Sequence, residues 1–245
     1  MKKTTSMILS AVLGLSLMGC SSSTNSTDSD SKTLKVAIVK QLDHASLDEI
    51  ADAIASELDA ISEKEGITIE YGEIYSGQND QSTLKQIGDT VMNDGVDCII
   101  PVATLAAQTM VVSRGENTTP IVFAAISDPE TADLTGLDNV TGTSDALNTK
   151  QILDMMKAQN PDIKKVGLLY SKSEANSEKP IAEAKEYLDS LGISYVEATA
   201  NTNDEVIAAA NTLVSDKVDA VFTPTDNVIM AAEISVAEIF ADAKI

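Results

Sequence analysis

The side chains best suited to chemistry sit in short polar clusters, each directly after an apolar run. Gln41, Asp43 and His44 follow LKVAIVK, while Ser171, Ser173, Glu174 and Asn176 follow VGLLY. Thr104 and Gln108 follow CIIPVA, Asp226 and Asn227 follow AVFTP, and Ser127 and Asp128 follow PIVFAAI. Amides, hydroxyls and carboxylates of this kind hold charged and polar groups rather than break bonds. Each also has a plainer reading. Ser46, Ser173 and Asn176 could cap helices, Asp128 before Pro129 could open a turn, and His44 has the surroundings of a loop residue. Catalytic signatures are scarce: with His44 the single histidine, any Ser/His/Asp arrangement depends wholly on it, and neither GxGxxG, a Walker A loop nor a metal-spaced cluster occurs. No cofactor and no metal is expected.

The elements that would position these clusters repeat. KVAIVKQLDHAS at Lys35 corresponds to KVGLLYSKSEAN at Lys165, and GVDCIIPVATLAAQ corresponds to KVDAVFTPTDNVIM, with Val96 matching Val218 and Thr104 matching Asp226 at one constant offset. Two similar halves imply two lobes, and two lobes leave a cleft, the usual home of a small-molecule site. An acid at Asp226 facing Thr104 across that cleft would suit a ligand ammonium group.

Within each half, short β-branched runs alternate with helical stretches. The first half reads as LKVAIV, a helix from Ser46, ITIEYGEIY, a helix from about Ser82, CIIPVA, a helix from about Leu105, and PIVFAA. After Ser46, Leu47, Ile50, Ala51, Ile54, Leu58 and Ile61 recur at spacings of three and four, one apolar stripe, with Ser46 as N-cap and Glu49 its capping-box partner. The second half reads as VGLLY, a helix Ala175–Leu191, ISYVEA, a helix from about Asp204, AVFTP, and a helix Asn227–Ala243. Between the halves, NVTGTS and Asp145 to Asn148 read as a hinge followed by an N-cap. The expected class is α/β, two similar doubly wound parallel-sheet lobes, residues 34–143 and 144–245. The second lobe reads as C-terminally truncated, because the repeat leads one to expect a counterpart of PIVFAAISDP after Ile245. Ligands in such sheets bind beyond the carboxyl ends of the strands, where the polar clusters lie.

Residues 1–19 read as an export leader: Lys2 and Lys3 precede MILSAVLGLSLMG, which is too short to span a bilayer. Residues 20–33 read as a tether, since Ser21 to Ser31 holds no apolar residue to bury. Cys98 lies in an apolar run and reads as a buried small hydrophobe. The formal net charge of −21 excludes nucleic acid and anionic lipid as partners.

Several strings resemble a known family. Leu17-Met18-Gly19-Cys20 resembles a bacterial lipobox, which implies a lipid on Cys20 and a membrane anchor. ATLAAQ, PIVFAAISDP, LLYSKSEANS and PTDN resemble the ABC transporter substrate-binding lipoproteins related to the tryptophan-binding protein TrpX, over Leu34 to Ile245. The resemblance implies a type I periplasmic-binding fold, and a monomer on the outer face of the cell membrane that captures an amino acid and hands it to a permease. Some members bind tryptophan or phenylalanine. Here there is no Trp and little Phe or Tyr, so an aromatic ligand would need Tyr170 or Tyr75 in the cleft. Their positions after the strands make Gln41, Thr104, Gln108, Ser127, Asp128, Ser173, Glu174, Asn176, Asp226 and Asn227 the candidate ligand contacts, and the resemblance implies roles for some of them. A ligand carboxylate would fall to Thr104, Ser127 and Ser173, and its ammonium to Asp226 or Asp128. Two alternatives stay open: a sensor of the same fold presenting its ligand to a membrane receptor, and an exported hydrolase.

Overall fold

A computed structural model describes residues 33–245. The expected leader, Cys20 and most of the expected tether lie outside the described residues. Among the described residues, nine strands and eight helices follow in order: β1 (Thr33–Lys40), α1 (Ala45–Glu65), β2 (Thr68–Glu70), β3 (Tyr75–Ser76), α2 (Gln81–Asn93), β4 (Cys98–Val102), α3 (Thr104–Arg114), β5 (Ile121–Ile126) and β6 (Val140–Ser144) form the first group. The second group is α4 (Thr149–Gln159), β7 (Lys165–Tyr170), α5 (Ala175–Ser190), β8 (Ser194–Thr199), α6 (Asn203–Ser215), β9 (Ala220–Phe222), α7 (Asn227–Ala231) and α8 (Glu233–Ala243).

All pairings are parallel. The first sheet runs β2-β1-β4-β5-β6, with β3 also on β1, and the second runs β8-β7-β9. Buried on both faces, parallel strands read as continuous apolar runs, and Val36 to Val39 are all buried. Each sheet is sandwiched by helices. In the first lobe Ala37, Val39, Ile99 and Ile121 pack under Leu84, Val91 and Met110 of α2 and α3, while Ile38 and Val102 pack on Leu47 and Ala51 of α1. In the second, Val166 and Leu168 face Ile181, Ala184 and Leu188 of α5, and Leu169 faces Val206, Ala210 and Leu213 of α6.

Four local expectations need correction. The first helix is capped at His44 rather than Ser46, and without a side-chain hydrogen bond, so the capping box with Glu49 does not form. ITIEYGEIY splits into β2 and β3, because Gly72 takes a left-handed conformation (φ 58°) that breaks the strand between them. NVTGTS is not a hinge but strand β6, paired with β5, and the chain crosses between lobes through residues 145–148. The helix expected over Asn227–Ala243 breaks at Ala232 into α7 and α8.

Close packing of α2 on α3 depends on Gly88. A Cβ there would come within 2.3 Å of Ser113 Oγ and 2.6 Å of its Cβ. Helix propensity favours alanine over glycine by about 1 kcal/mol, but overpacking costs about 1–3 kcal/mol. Gly88→Ala is therefore expected to lower the denaturant midpoint, and Ser113→Gly in the same chain to recover it.

Candidate functional site

The carboxyl ends of β1, β4 and β5 face those of β7 and β9 across the cleft, and a cavity of about 110 Å³ lies between them. Its floor and walls are His44, Ser46, Leu47 and Ile50 from the start of α1, Ala103 and Thr104 before and in α3, and Ala125 and Ser127 from the end of β5. Asp145 enters from the crossing segment, and the second lobe adds Asn176, Thr225, Asn227 and Met230.

Two features mark this as a built site. The first is uncapped helix ends. Asp80, Asn148, Thr202 and Asp226 cap α2, α4, α6 and α7 with side-chain oxygens, whereas α1, α3 and α5, which begin at the cleft, and α8, which does not, have no side-chain cap. In α3 the Leu105 NH donates to Gln41 Oε1 at 3.2 Å; the other NH groups at the starts of α1 and α3, and the positive ends of the dipoles, remain available to an anion. The second is backbone strain. Ala103 stands at φ 76°, ψ 161°, a region essentially reserved for glycine, and Ala125 at φ 57°. Such conformations cost on the order of 1–3 kcal/mol each and gather at functional sites. The strain at Ala103 turns the chain sharply from β4 into α3, aiming the helix start at the cavity.

Asp145 is the one acid lining this cavity. Its side chain reaches solvent, yet surrounding protein atoms crowd the carboxyl and push its pKa up, against a hydrogen bond from Ser127. Among the described residues it has no cationic partner within salt-bridge range. Sequence reading treated it only as part of the crossing segment; its place at the end of β6, a strand read as loop, was the missing signal.

The residues singled out from sequence fall into three sets. Thr104, Ser127, Asn176 and Asn227 line the cavity. Ser127 Oγ lies 3.0 Å from Thr225 Oγ1 of the opposite lobe, and Asn176 Nδ2 donates to the Thr225 carbonyl at 2.8 Å. Gln41 and Glu174 stand beside it, hydrogen-bonded to each other across the cleft at 2.5 Å. Burial, and then the neighbouring charge of Asp226, push the Glu174 carboxyl up, while Asn227, Gln41 and Asn176 oppose this.

The remaining four are engaged elsewhere. Gln108 donates to the Ala132 carbonyl at 3.2 Å and borders a groove between α2 and α3. Asp128 accepts from the NH groups of Glu130 and Thr131 and pairs with Lys179 of the opposite lobe at 2.7 Å; the Lys179 ammonium chiefly holds its pKa down at about 2. Ser173 Oγ lies 2.7 Å from Ser171 Oγ. Asp226 is fully buried: Oδ1 accepts from the NH groups of Val228 and Ile229, and Oδ2 from Ser171 NH at 2.6 Å and Ser177 Oγ at 2.7 Å. Its acceptors are thus committed within its own lobe, and burial still pushes its carboxyl up. Tyr170 is packed in the second core with its hydroxyl on Glu197, and Tyr75 packs in the first; neither lines the cavity.

Residues 35–245 match the family model described as ABC transporter substrate binding protein. The chain belongs to this family. It is 32% identical over 257 aligned residues to the tyrosine-binding protein of Clostridioides difficile strain R20291, covering 100% of this chain and 73% of that one. A solved ABC domain from Streptococcus pneumoniae in complex with L-Trp is 28% identical with a TM-score of 0.78, covering 87% of this chain and 72% of that one. A conserved domain protein from Vibrio cholerae matches equally, at 28% identity and a TM-score of 0.78, with 87% and 72% covered. The family accounts for two parallel-sheet lobes with polar loops gathered between them: this is a solute-binding protein of ABC transport with the type I periplasmic-binding fold.

Four donors converge on Asp226, so an amide at that position would direct NH₂ against NH and OH groups. Leaving buried donors unsatisfied costs about 1–3 kcal/mol. Asp226→Asn should lower the thermal midpoint measurably and to a similar extent with and without any solute.

Proposed function

We propose that this substrate-binding protein captures an amino acid in the cleft between its lobes, residues 34–143 and 144–245, and delivers it unchanged to a membrane permease. The single observation carrying this reading is the pairing, in one cavity, of an acid that has no cationic partner among the described residues with helix ends that have no side-chain cap. Asp145 would take the ammonium group, and the starts of α1 and α3, with Thr104 and Ser127 beside them, would take the carboxylate. Both ends of a zwitterion thus meet complementary charge in a partly dry site, where such hydrogen bonds gain strength. The relatives whose names carry tyrosine and L-Trp support an amino acid as the solute. The aliphatic wall of Leu47, Ile50 and Met230 would receive its side chain. The cavity of about 110 Å³ is smaller than the roughly 150 Å³ that admits benzene, so an aromatic side chain would enter with the lobes further apart.

Binding to the folded state raises its stability by mass action, so a thermal-shift series can test the chemistry directly. L-Tyrosine and L-tryptophan should raise the midpoint, and Asp145→Asn should weaken both by about tenfold, roughly the 1.4 kcal/mol of a charged hydrogen bond. 3-(4-Hydroxyphenyl)propionate, which lacks the amine, should bind parent and variant alike. Equal loss for both compounds would remove Asp145 from the ammonium site.

Anchoring is part of the same reading. A lipid on Cys20 would hold the domain at the outer face of the membrane as a monomer beside its permease. Cys20→Ser should abolish labelling by radioactive palmitate in growing cells; undiminished labelling would place any lipid elsewhere.

A further inference from the structure

The lobes also meet through buried side chains that the capture chemistry leaves unused. Gln41 is fully buried at the end of β1. Its amide nitrogen donates to Asn79 Oδ1 of its own lobe at 3.0 Å and to Glu174 Oε1 of the other at 2.5 Å. Its oxygen accepts from Leu105 NH at 3.2 Å and lies 3.5 Å from Asn227 Nδ2. Glu174 completes the set by accepting from Asn227 Nδ2 at 2.8 Å through Oε2, and Asn227 Oδ1 lies 3.3 Å from His44 Nε2 of the first lobe.

This group stands between two cavities. On one side is the cavity described above; on the other, about 420 Å³ is lined by Asp43, Gln78 and Asn79 from the first lobe and Asn201, Thr202 and Asn203 from the second. Gln41 touches Asn79 of the outer cavity and Asn227 of the inner one, so it spans the boundary. The crossing segment lies at the β6 edge, whereas the outer cavity lies at the β3 side of β1, away from it. Rotation of the lobes about the crossing segment would part Gln41 from Glu174.

We propose that Gln41 and Glu174 form a latch holding the lobes together independently of solute, and so set the fraction of molecules open to receive one. The polarity of the pair is defined: the carboxylate only accepts, and the amide nitrogen is the donor. Buried in low dielectric, the bond is stronger than a surface one, and opening exchanges it for water. Solute enters only the open fraction, so the latch lowers the apparent association rate by that fraction. This purpose rests on the solute-capture reading, but the latch itself does not.

The test therefore begins without solute. Small-angle X-ray scattering of the mature chain should give a larger radius of gyration for Gln41→Glu, which sets carboxylate against carboxylate, with circular dichroism unchanged. Adding Glu174→Gln reverses the polarity of the pair and should return the compact profile. Gln41→Met, which deletes the bond without adding charge, should open the protein to a smaller degree and serves where the charged variant fails to fold. A profile unchanged in both single variants, or one that Glu174→Gln does not reverse, overturns the latch. With L-tyrosine as probe, stopped-flow association should be several-fold faster for Gln41→Met than for the parent; an equal or slower rate also overturns the proposal. If L-tyrosine binds no form while the scattering follows the expected order, the latch stands and the amino-acid reading falls.

Discussion

Parallel pairing is the constraint on which the rest of the molecule depends. Because β1, β4 and β5 run the same way, their carboxyl ends emerge at one edge, and the same holds for β7 and β9. There β1, β4, β7 and β9 each lead into a helix and β5 into a polar turn, so helix starts and polar turn residues collect at both facing edges. Nothing about a particular solute is needed to produce this convergence. The first lobe alone brings the starts of α1 and α3 and the ends of β4 and β5 to a single wall.

At that edge the protein divides its hydrogen-bonding groups into those it satisfies and those it leaves available. Asp226 is wholly engaged, gathering three NH groups and a hydroxyl, and thereby fixes the loop after β9 against the loop after β7. Gln41 is engaged too, with partners in both lobes. Against this fully bonded frame, the N-cap residues of α1 and α3 give no side-chain cap and, among the described residues, Asp145 lacks a cation. A rigid surround is what lets unsatisfied groups keep their positions rather than collapse onto one another.

Much of the fold was legible because hydrophobic runs and helical spacing are local properties. Val36 to Val39, the stripe from Leu47, and the repeat joining Val96 to Val218 all express themselves within short windows. The site was legible by region but less so by role. Thr104, Ser127, Asn176 and Asn227 were placed on the cavity wall by the strand-end rule alone, whereas the engagement of Asp226 depends on Ser171 and Ser177, far away in sequence. Asp145 was overlooked because VTGTS, with its glycine and hydroxyls, carries no apolar alternation. Its strand character comes from pairing with β5, and that partner is set by tertiary structure. His44 in place of Ser46 at the start of α1 is a two-residue shift of the kind that helix ends commonly show.

The left-handed alanines have a consequence for how this pocket can change over generations. Ala103 and Ala125 hold backbone geometry that a bulkier residue would resist, and both line the cavity. Leu47 and Ile50 of α1 and Met230 of α7 line the cavity from ordinary helix. Substitutions there would reshape the apolar wall while the strained turns stay intact. The cleft is thus split into an apolar wall that descent can edit freely and a strained pair of turns that resists change.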